Sequence, residues 1–106
     1  MRVYNMTSPR TGEKVANQFI IAGDHRLTFQ SYDSMIIDLD FMHSIITIGK
    51  DWDFSRTTGK YRNAFLAEHL PQLATKKAIE SLKAMADENG RIETVINAVM
   101  FTVIFE

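Results

Sequence analysis

The segment Thr58-Gly59-Lys60 has residue types found in phosphate-binding loops, in which backbone amides surround a phosphate and a lysine neutralises it. That motif requires glycine where Phe54 stands, and serine or threonine at the position of Tyr61. The spacing therefore argues against a nucleotide-binding loop of this kind.

A simpler anion site is an alternative at the predicted start of the first helix. Arg56 and Lys60 would lie beside the unpaired amides of the first turn, where the helix dipole also favours negative charge. The bound ligand would then be a nucleotide or another phosphate compound. The competing interpretation is that both side chains are simply solvated, as isolated basic residues on a helix usually are.

Asp38 and Asp40 would share one face of a strand, with His43 close behind them. Carboxylate and imidazole groups are metal ligands, but His25 and His69 belong to other segments and nothing nearby completes a set. We interpret the acids as part of an exposed turn. The sequence predicts no metal site and no cofactor.

Nucleophilic catalysis has no support in the sequence. The chain contains no cysteine, which excludes a thiol nucleophile, a thiolate metal site and a disulfide. No serine or histidine lies in a recognisable catalytic motif. We therefore predict a protein that is not an enzyme and has no catalytic residues.

Aromatic and basic residues cluster where the predicted sheet gives way to the first helix. Such a mixture suits contacts with proteins or nucleobases. Core packing is the alternative for Trp52, Phe54 and Tyr61, because large aromatic side chains usually bury their area. The predicted partner-binding residues are Tyr32, Trp52, Phe54, Arg56, Lys60, Tyr61 and Arg62.

The elements that must position these residues follow from periodicity. Short β-branched and aromatic groups, separated by glycine, proline, aspartate and serine, predict an antiparallel meander with strands at 2–5, 16–22, 26–31, 35–39 and 44–48. Leu27 and Phe29 alternate with Thr28 and Gln30, so we expect the first pair to face the core.

Two helices should follow the meander. The first covers about 55–68, with Ser55 or Thr57 as its N-cap, and Pro71 ends it or starts the next. The second is amphipathic and spans 72–89; we expect its apolar stripe, which includes Ile79 and Met85, to pack in the core. Asn89-Gly90 is its predicted terminus.

The stretch 91–106 is strand-like and almost wholly apolar from Val99 to Phe105, which predicts a central strand or an interface. The fold class is therefore α+β, with an antiparallel β-meander, two helices and a C-terminal apolar strand. A homodimer through Val99–Phe105 is one possible assembly.

Composition limits the remaining classes. With 106 residues, 45% of them hydrophobic and 24% charged, the chain predicts a single domain covering 1–106. The net charge of −1 gives no general attraction to nucleic acid or anionic membranes. No signal-like or membrane-length apolar run is present, so we expect a cytoplasmic protein with no membrane partner.

Four segments carry a resemblance to a known family. They are YNMTSPRTG at 4–12, NQF at 17–19, FQSYDS at 29–34 and WDFSRTTGKYRNAFL at 52–66. Together they resemble small uncharacterised proteins of phages and prophages of Gram-positive bacteria. The resemblance covers residues 1–69, whereas 70–106 form a helix-strand extension in place of a short charged tail. The family has no assigned activity, so no site residue is carried over.

This resemblance implies a counter-defence role, because small accessory phage proteins are often binders that block host defences. The expected partner is a host protein or nucleoprotein complex, and an anti-CRISPR inhibitor of a type II nuclease is the leading hypothesis. The alternatives are a nucleotide or phosphate binder at the Arg56/Lys60 helix start, and a structural or dimerising phage accessory protein.

Overall fold

A computed structural model describes residues 1–106 and contains one seven-stranded sheet with two helices. The strands are β1 (Arg2–Thr7), β2 (Lys14–Ala22), β3 (Arg26–Ser31), β4 (Ser34–Asp40), β5 (Ile45–Ile48), β6 (Arg91–Ile96) and β7 (Val99–Phe105). The helices are α1 (Arg56–His69) and α2 (Lys76–Met85), with a 3₁₀ turn (Pro71–Leu73) between them. The predicted α+β class is confirmed.

Strands β1 to β5 form the predicted antiparallel meander. The bounds of β3 coincide with the prediction, and the other strands differ from it by one or two residues at their ends. Ser44 was placed inside the fifth strand, but its φ of 54° is left-handed, so β5 begins one residue later. The alternation in β3 is confirmed, since Phe29 is fully buried and Leu27 packs against the core.

Helix α1 begins at the predicted cap. The Thr58 amide donates to the Ser55 hydroxyl, which stabilises the first turn, so Ser55 is the N-cap rather than Thr57. Tyr61, Phe65 and Leu66 turn toward the sheet and are buried. The helix ends before Pro71, which starts the 3₁₀ turn.

Helix α2 is shorter than predicted at both ends. Its N-cap is Thr75, whose hydroxyl accepts from the Ala78 amide, and the residues before it form the 3₁₀ turn. At the other end the Asp87 carboxylate accepts from the Asn89 and Arg91 amides. That turn ends the helical region and leads into β6. No helix is long and apolar enough to span a membrane.

The apolar stripe of α2 is only partly buried. Ile79 and Leu82 lie in the core, but Met85 is 64% exposed because the helix ends there and leaves the sheet. The prediction of Met85 as a core residue was wrong.

The last stretch is a hairpin, and β6 was not distinguished in the sequence. Its turn is Asn97-Ala98, where both residues have left-handed φ values of 53° and 63°. Strand β7 lies between β5, to which it is parallel, and β6, to which it is antiparallel. The prediction of a central strand is confirmed. The helices supply the long crossover that a parallel pair requires.

One core lies between the helices and one face of the sheet. It contains 19 buried apolar residues, drawn from both residues 1–69 and residues 70–106. Phe29 of β3 stacks on Phe65 of α1 with ring centroids 5.9 Å apart. Val103 and Phe105 of β7 complete the core. The region 70–106 is thus part of the same sheet and core as region 1–69.

Candidate functional site

A cavity of about 570 Å³ lies where the turn between β3 and β4 faces the start of α1. We call it the junction cavity. Its volume is within the range of small-ligand pockets. The residues that line it are Ser31, Tyr32, Asp33, Ser34, Ile36, Asp51, Phe54, Ser55, Thr57 and Thr58.

Tyr32 borders the cavity in an unusual backbone conformation. Its φ is 54°, which costs about 1–2 kcal/mol for a residue other than glycine. Two hydrogen bonds hold it there: the Tyr32 amide donates to the Asn17 carbonyl at 2.7 Å, and Gln30 Nε2 donates to the Tyr32 carbonyl at 2.7 Å. The residue nevertheless remains 48% exposed. The turn therefore keeps an exposed aromatic side chain in a backbone conformation of raised free energy.

Phe54 borders the same cavity from the loop before α1 and is 69% exposed. Two successive turns shape this loop: the Trp52 amide donates to the Gly49 carbonyl, and the Phe54 amide donates to the Asp51 carbonyl. As a result Trp52 points into the core and Phe54 points out. The loop therefore leaves an accessible apolar side chain beside the cavity.

Short hydrogen bonds fix the polar wall of the cavity. The Ser34 hydroxyl donates to Asp51 Oδ2 at 2.8 Å, and the Ser31 and Thr58 hydroxyls share a hydrogen bond of 2.9 Å. Asp33 and Asp51 form no ion pair, and no lysine or arginine lines the cavity. Lys50 lies with Asp33 and Asp51 around an adjacent surface pocket, but it forms no ion pair with either carboxylate. The two carboxylates therefore give the cavity negative charge that no ion pair of the fold neutralises.

Arg62 holds the loop to the helix. Its guanidinium is buried, donates from Nη1 to the Trp52 carbonyl at 2.7 Å, and lies over the Trp52 ring at 5.2 Å from the centroid. It also donates to Asn63 Oδ1 and lies 3.5 Å from Asp53 Oδ1. Burial lowers the pKa of Arg62, and the charge of Asp53 opposes that shift. Arg62 therefore has a structural role, because it joins the loop before α1 to the helix.

An ion pair joins this loop to α2 in the extension. Lys76 Nζ lies 2.8 Å from Asp53 Oδ2. Its hydrogen bond lowers the pKa of Asp53 and raises the pKa of Lys76. Asp53 therefore ties two segments of the chain together on the side of the loop that faces α1 and α2.

The predicted partner-binding set divides into two groups. Core packing was the alternative for Trp52, Phe54 and Tyr61; Trp52 and Tyr61 are buried, but Phe54 is exposed, so for Phe54 this alternative was wrong. Arg62 is also buried, which no local pattern indicated. A partner can reach none of the three buried residues in this fold. The exposed members are Tyr32, Phe54, Arg56 and Lys60.

The two basic members of the exposed group do not line the cavity. Arg56 is the first residue of α1 and is exposed. Lys60, one turn further along, lies over the Tyr61 ring at 5.4 Å from the centroid. The Ser55 hydroxyl already occupies the Thr58 amide. The phosphate-binding hypothesis thus gains no converging donors from this geometry.

Sequence reasoning missed the carboxylates of the site. Asp33 belongs to the β3–β4 turn and Asp51 to the loop after β5, so only the pairing of β4 with β5 brings them to the same cavity. Both fall in or next to segments of the family resemblance, which was the one available signal.

The acids considered as metal ligands serve other contacts. Asp38 accepts from the Thr28 hydroxyl at 2.6 Å and pairs with Arg26, whose pKa it raises. Asp40 Oδ2 lies 2.9 Å from His43 Nδ1, and hydrogen bonds from His43 lower the pKa of Asp40. No group of three or more histidine, cysteine, aspartate or glutamate side chains is placed to hold a metal ion.

Apolar side chains are also exposed at the tip of the β6–β7 hairpin. They are Val95, Val99 and Met100, and Val95 lies directly across from Met100 in the register. Strand β6 pairs with β7 along residues 99–104, whereas β5 pairs with it only at residues 102–105. A second copy of the chain would therefore meet residues 102–104 through side chains, because both backbone edges are paired there.

No protein family, curated protein or solved structure matches this chain.

Proposed function

We propose that this protein is a small, non-enzymatic binding protein of phage origin that inhibits a type II nucleic-acid-guided nuclease in the cytoplasm of the bacterial host. The resemblance of residues 1–69 to small phage and prophage proteins motivates the counter-defence role. The junction cavity supplies the surface with which the protein binds its partner.

The observation that carries the proposal is the exposure of two aromatic side chains at one cavity. Tyr32 and Phe54 come from different segments, and both remain largely accessible while the neighbouring Trp52 is buried. Aromatic residues are enriched in the centres of protein interfaces.

The titratable groups support binding rather than chemistry. The groups whose pKa is clearly shifted are Arg26, Asp40, Asp53, Arg62 and Lys76, and each has a charged or hydrogen-bonding partner within the fold. Their shifts follow from structural contacts that hold turns and helices in place. None of them lines the junction cavity.

The charge of the cavity suits the proposed target. Nucleic-acid-guided nucleases hold their guide and target strands in a positively charged channel. A surface with two unpaired carboxylates and two exposed rings complements the rim of such a channel, and complementary charge accelerates association. A protein bound at the rim of this channel would prevent the nuclease from holding its nucleic acid.

The test combines a plasmid-interference assay with co-purification of the nuclease complex. We expect the wild-type chain to restore plasmid survival and to capture the complex. The double variant Tyr32→Ala/Phe54→Ala should lose both effects while keeping its urea unfolding midpoint. Tyr4→Ala is the matched control, because Tyr4 is an exposed aromatic residue on β1 that does not line the cavity.

The proposal fails if the wild-type chain neither protects the plasmid nor captures the complex. The junction cavity is not the binding surface if Tyr4→Ala weakens inhibition as much as the double variant does.

A second candidate is a dimerising accessory protein, and the exposed Val95, Val99 and Met100 favour it. Light scattering should then show a dimer that Met100→Lys converts to a monomer. A wild-type chain that is monomeric at high concentration would refute this candidate.

A further inference from the structure

We infer that the junction cavity binds an arginine side chain presented by the protein partner. The inference rests on the proposed function for the identity of that partner, but the recognition chemistry follows from the cavity itself. It assigns the site a specific ligand group: a planar guanidinium cation.

The first argument is charge. Asp33 and Asp51 both line the cavity, neither is in an ion pair, and no basic side chain of this protein lines it. Asp38, Asp40 and Asp53, by contrast, each have a basic partner in the fold. A cation from outside gains attraction to both carboxylates, whereas phosphate is repelled by them.

The second argument is the orientation of Asp51. The Ser34 hydroxyl donates to its Oδ2, which fixes the carboxylate and leaves Oδ1 without a side-chain donor. A carboxylate that is already positioned loses little entropy when a guanidinium binds. Arginine presents five donors in a rigid fork, so it can also donate to the neighbouring hydroxyl of Ser55 or Thr57.

The third argument is the pair of aromatic rings. Guanidinium groups stack on aromatic faces and are more weakly hydrated than ammonium groups, so arginine gains more than lysine from a site that combines rings with carboxylates. Tyr32 and Phe54 both offer accessible rings at this cavity. The chain already contains one such arrangement, since Arg62 stacks on Trp52.

The experiment titrates the full chain with three blocked tripeptides, Gly-Arg-Gly, Gly-Lys-Gly and Gly-citrulline-Gly, and follows backbone amide chemical shifts. We expect shifts confined to residues 31–34 and 51–58, with arginine binding more tightly than lysine and no response to citrulline, which lacks the charge. Asp33→Asn and Asp51→Asn should each weaken arginine binding on the order of tenfold, about 1.4 kcal/mol. Added salt should weaken it further.

Asp24→Asn is the matched control, because it removes the same charge from an exposed turn elsewhere. The inference is overturned if citrulline binds as well as arginine, if Asp24→Asn weakens binding equally, or if the arginine peptide produces no shifts in the cavity segments. Shifts produced there by inorganic phosphate instead would overturn it in favour of the anion site.

The two proposals can fail separately. Arginine binding without any inhibition of the nuclease would refute the proposed function but support the arginine site. Inhibition that survives both Asp33→Asn and Asp51→Asn would refute the arginine site but support the proposed function.

Discussion

Gln18 of β2 offers a direct test of how the core under the junction is built. Its side chain is fully buried, and no protein group pairs with either Nε2 or Oε1. Its neighbour across the sheet is Ser31, whose hydroxyl is shared with Thr58. A buried amide without partners costs about 1–3 kcal/mol, so the Gln18 side chain destabilises the folded state.

We expect Gln18→Met to raise the free energy of unfolding by about 1–2 kcal/mol, because methionine has a similar length and no polar group to desolvate. For a domain of this size that gain corresponds to an increase in Tm of roughly 5–10 °C. Urea unfolding followed by fluorescence measures it, since Trp52 is the single tryptophan and is buried.

Gln30→Met is the matched control on the next strand. Gln30 Nε2 donates to the Tyr32 carbonyl, so the same substitution there removes a hydrogen bond and should lower stability by about 0.5–1.5 kcal/mol. The reasoning is refuted if both variants shift stability in the same direction, or if Gln18→Met lowers it by 1 kcal/mol or more.

Four further substitutions test other structural contacts by urea unfolding. Arg62→Leu should lower the free energy of unfolding by about 2–4 kcal/mol, because buried hydrogen bonds and packing are lost. A loss below about 1 kcal/mol would contradict the structural role of Arg62. Gly49→Ala should lower the free energy of unfolding by about 2–3 kcal/mol, because the new Cβ would clash with the Met35 carbonyl oxygen. Gly12→Ala should lower it by about 1 kcal/mol from backbone strain alone, because Gly12 has a φ of 73° and nothing lies within 4 Å of the new Cβ. Asp53→Asn should be less stable than wild type at neutral pH, and this difference in stability should disappear as the pH falls below about 4. Folding lowers the pKa of Asp53, so the stabilisation by its carboxylate is present above the pKa of the unfolded state and is lost in acid. An unchanged difference at pH 7 and pH 3 would contradict this assignment.

Local patterns predicted the elements whose signals are local. The alternation of Leu27 and Phe29 with Thr28 and Gln30 predicted β3 with its bounds, because a strand with one covered face must alternate. Ser55 or Thr57 was predicted as the cap because a hydroxyl there can accept from an unpaired amide of the first turn, and the structure selects Ser55.

The errors arose where long-range contacts override local preference. Helix α2 ends at Met85 because the Asp87 carboxylate captures the amides that follow, which helical periodicity does not reveal. The Asn97-Ala98 turn carries no glycine, so the sequence did not indicate that 91–106 folds back on itself. Arg62 was predicted at the surface because nothing local shows that the Trp52 carbonyl and ring will surround it.

The sequence by itself determined the α+β class, the meander, the absence of cysteine chemistry and the aromatic character of the junction. These follow from composition and from periods of two and 3.6 residues, which are properties of adjacent positions. Only the tertiary structure decided which junction residues face outward, with Tyr32 and Phe54 exposed and Arg62 buried beneath them. It also brought Asp33 and Asp51 to one cavity, because strand pairing joins residues that are distant in the chain and burial is settled only when the helices pack on the sheet.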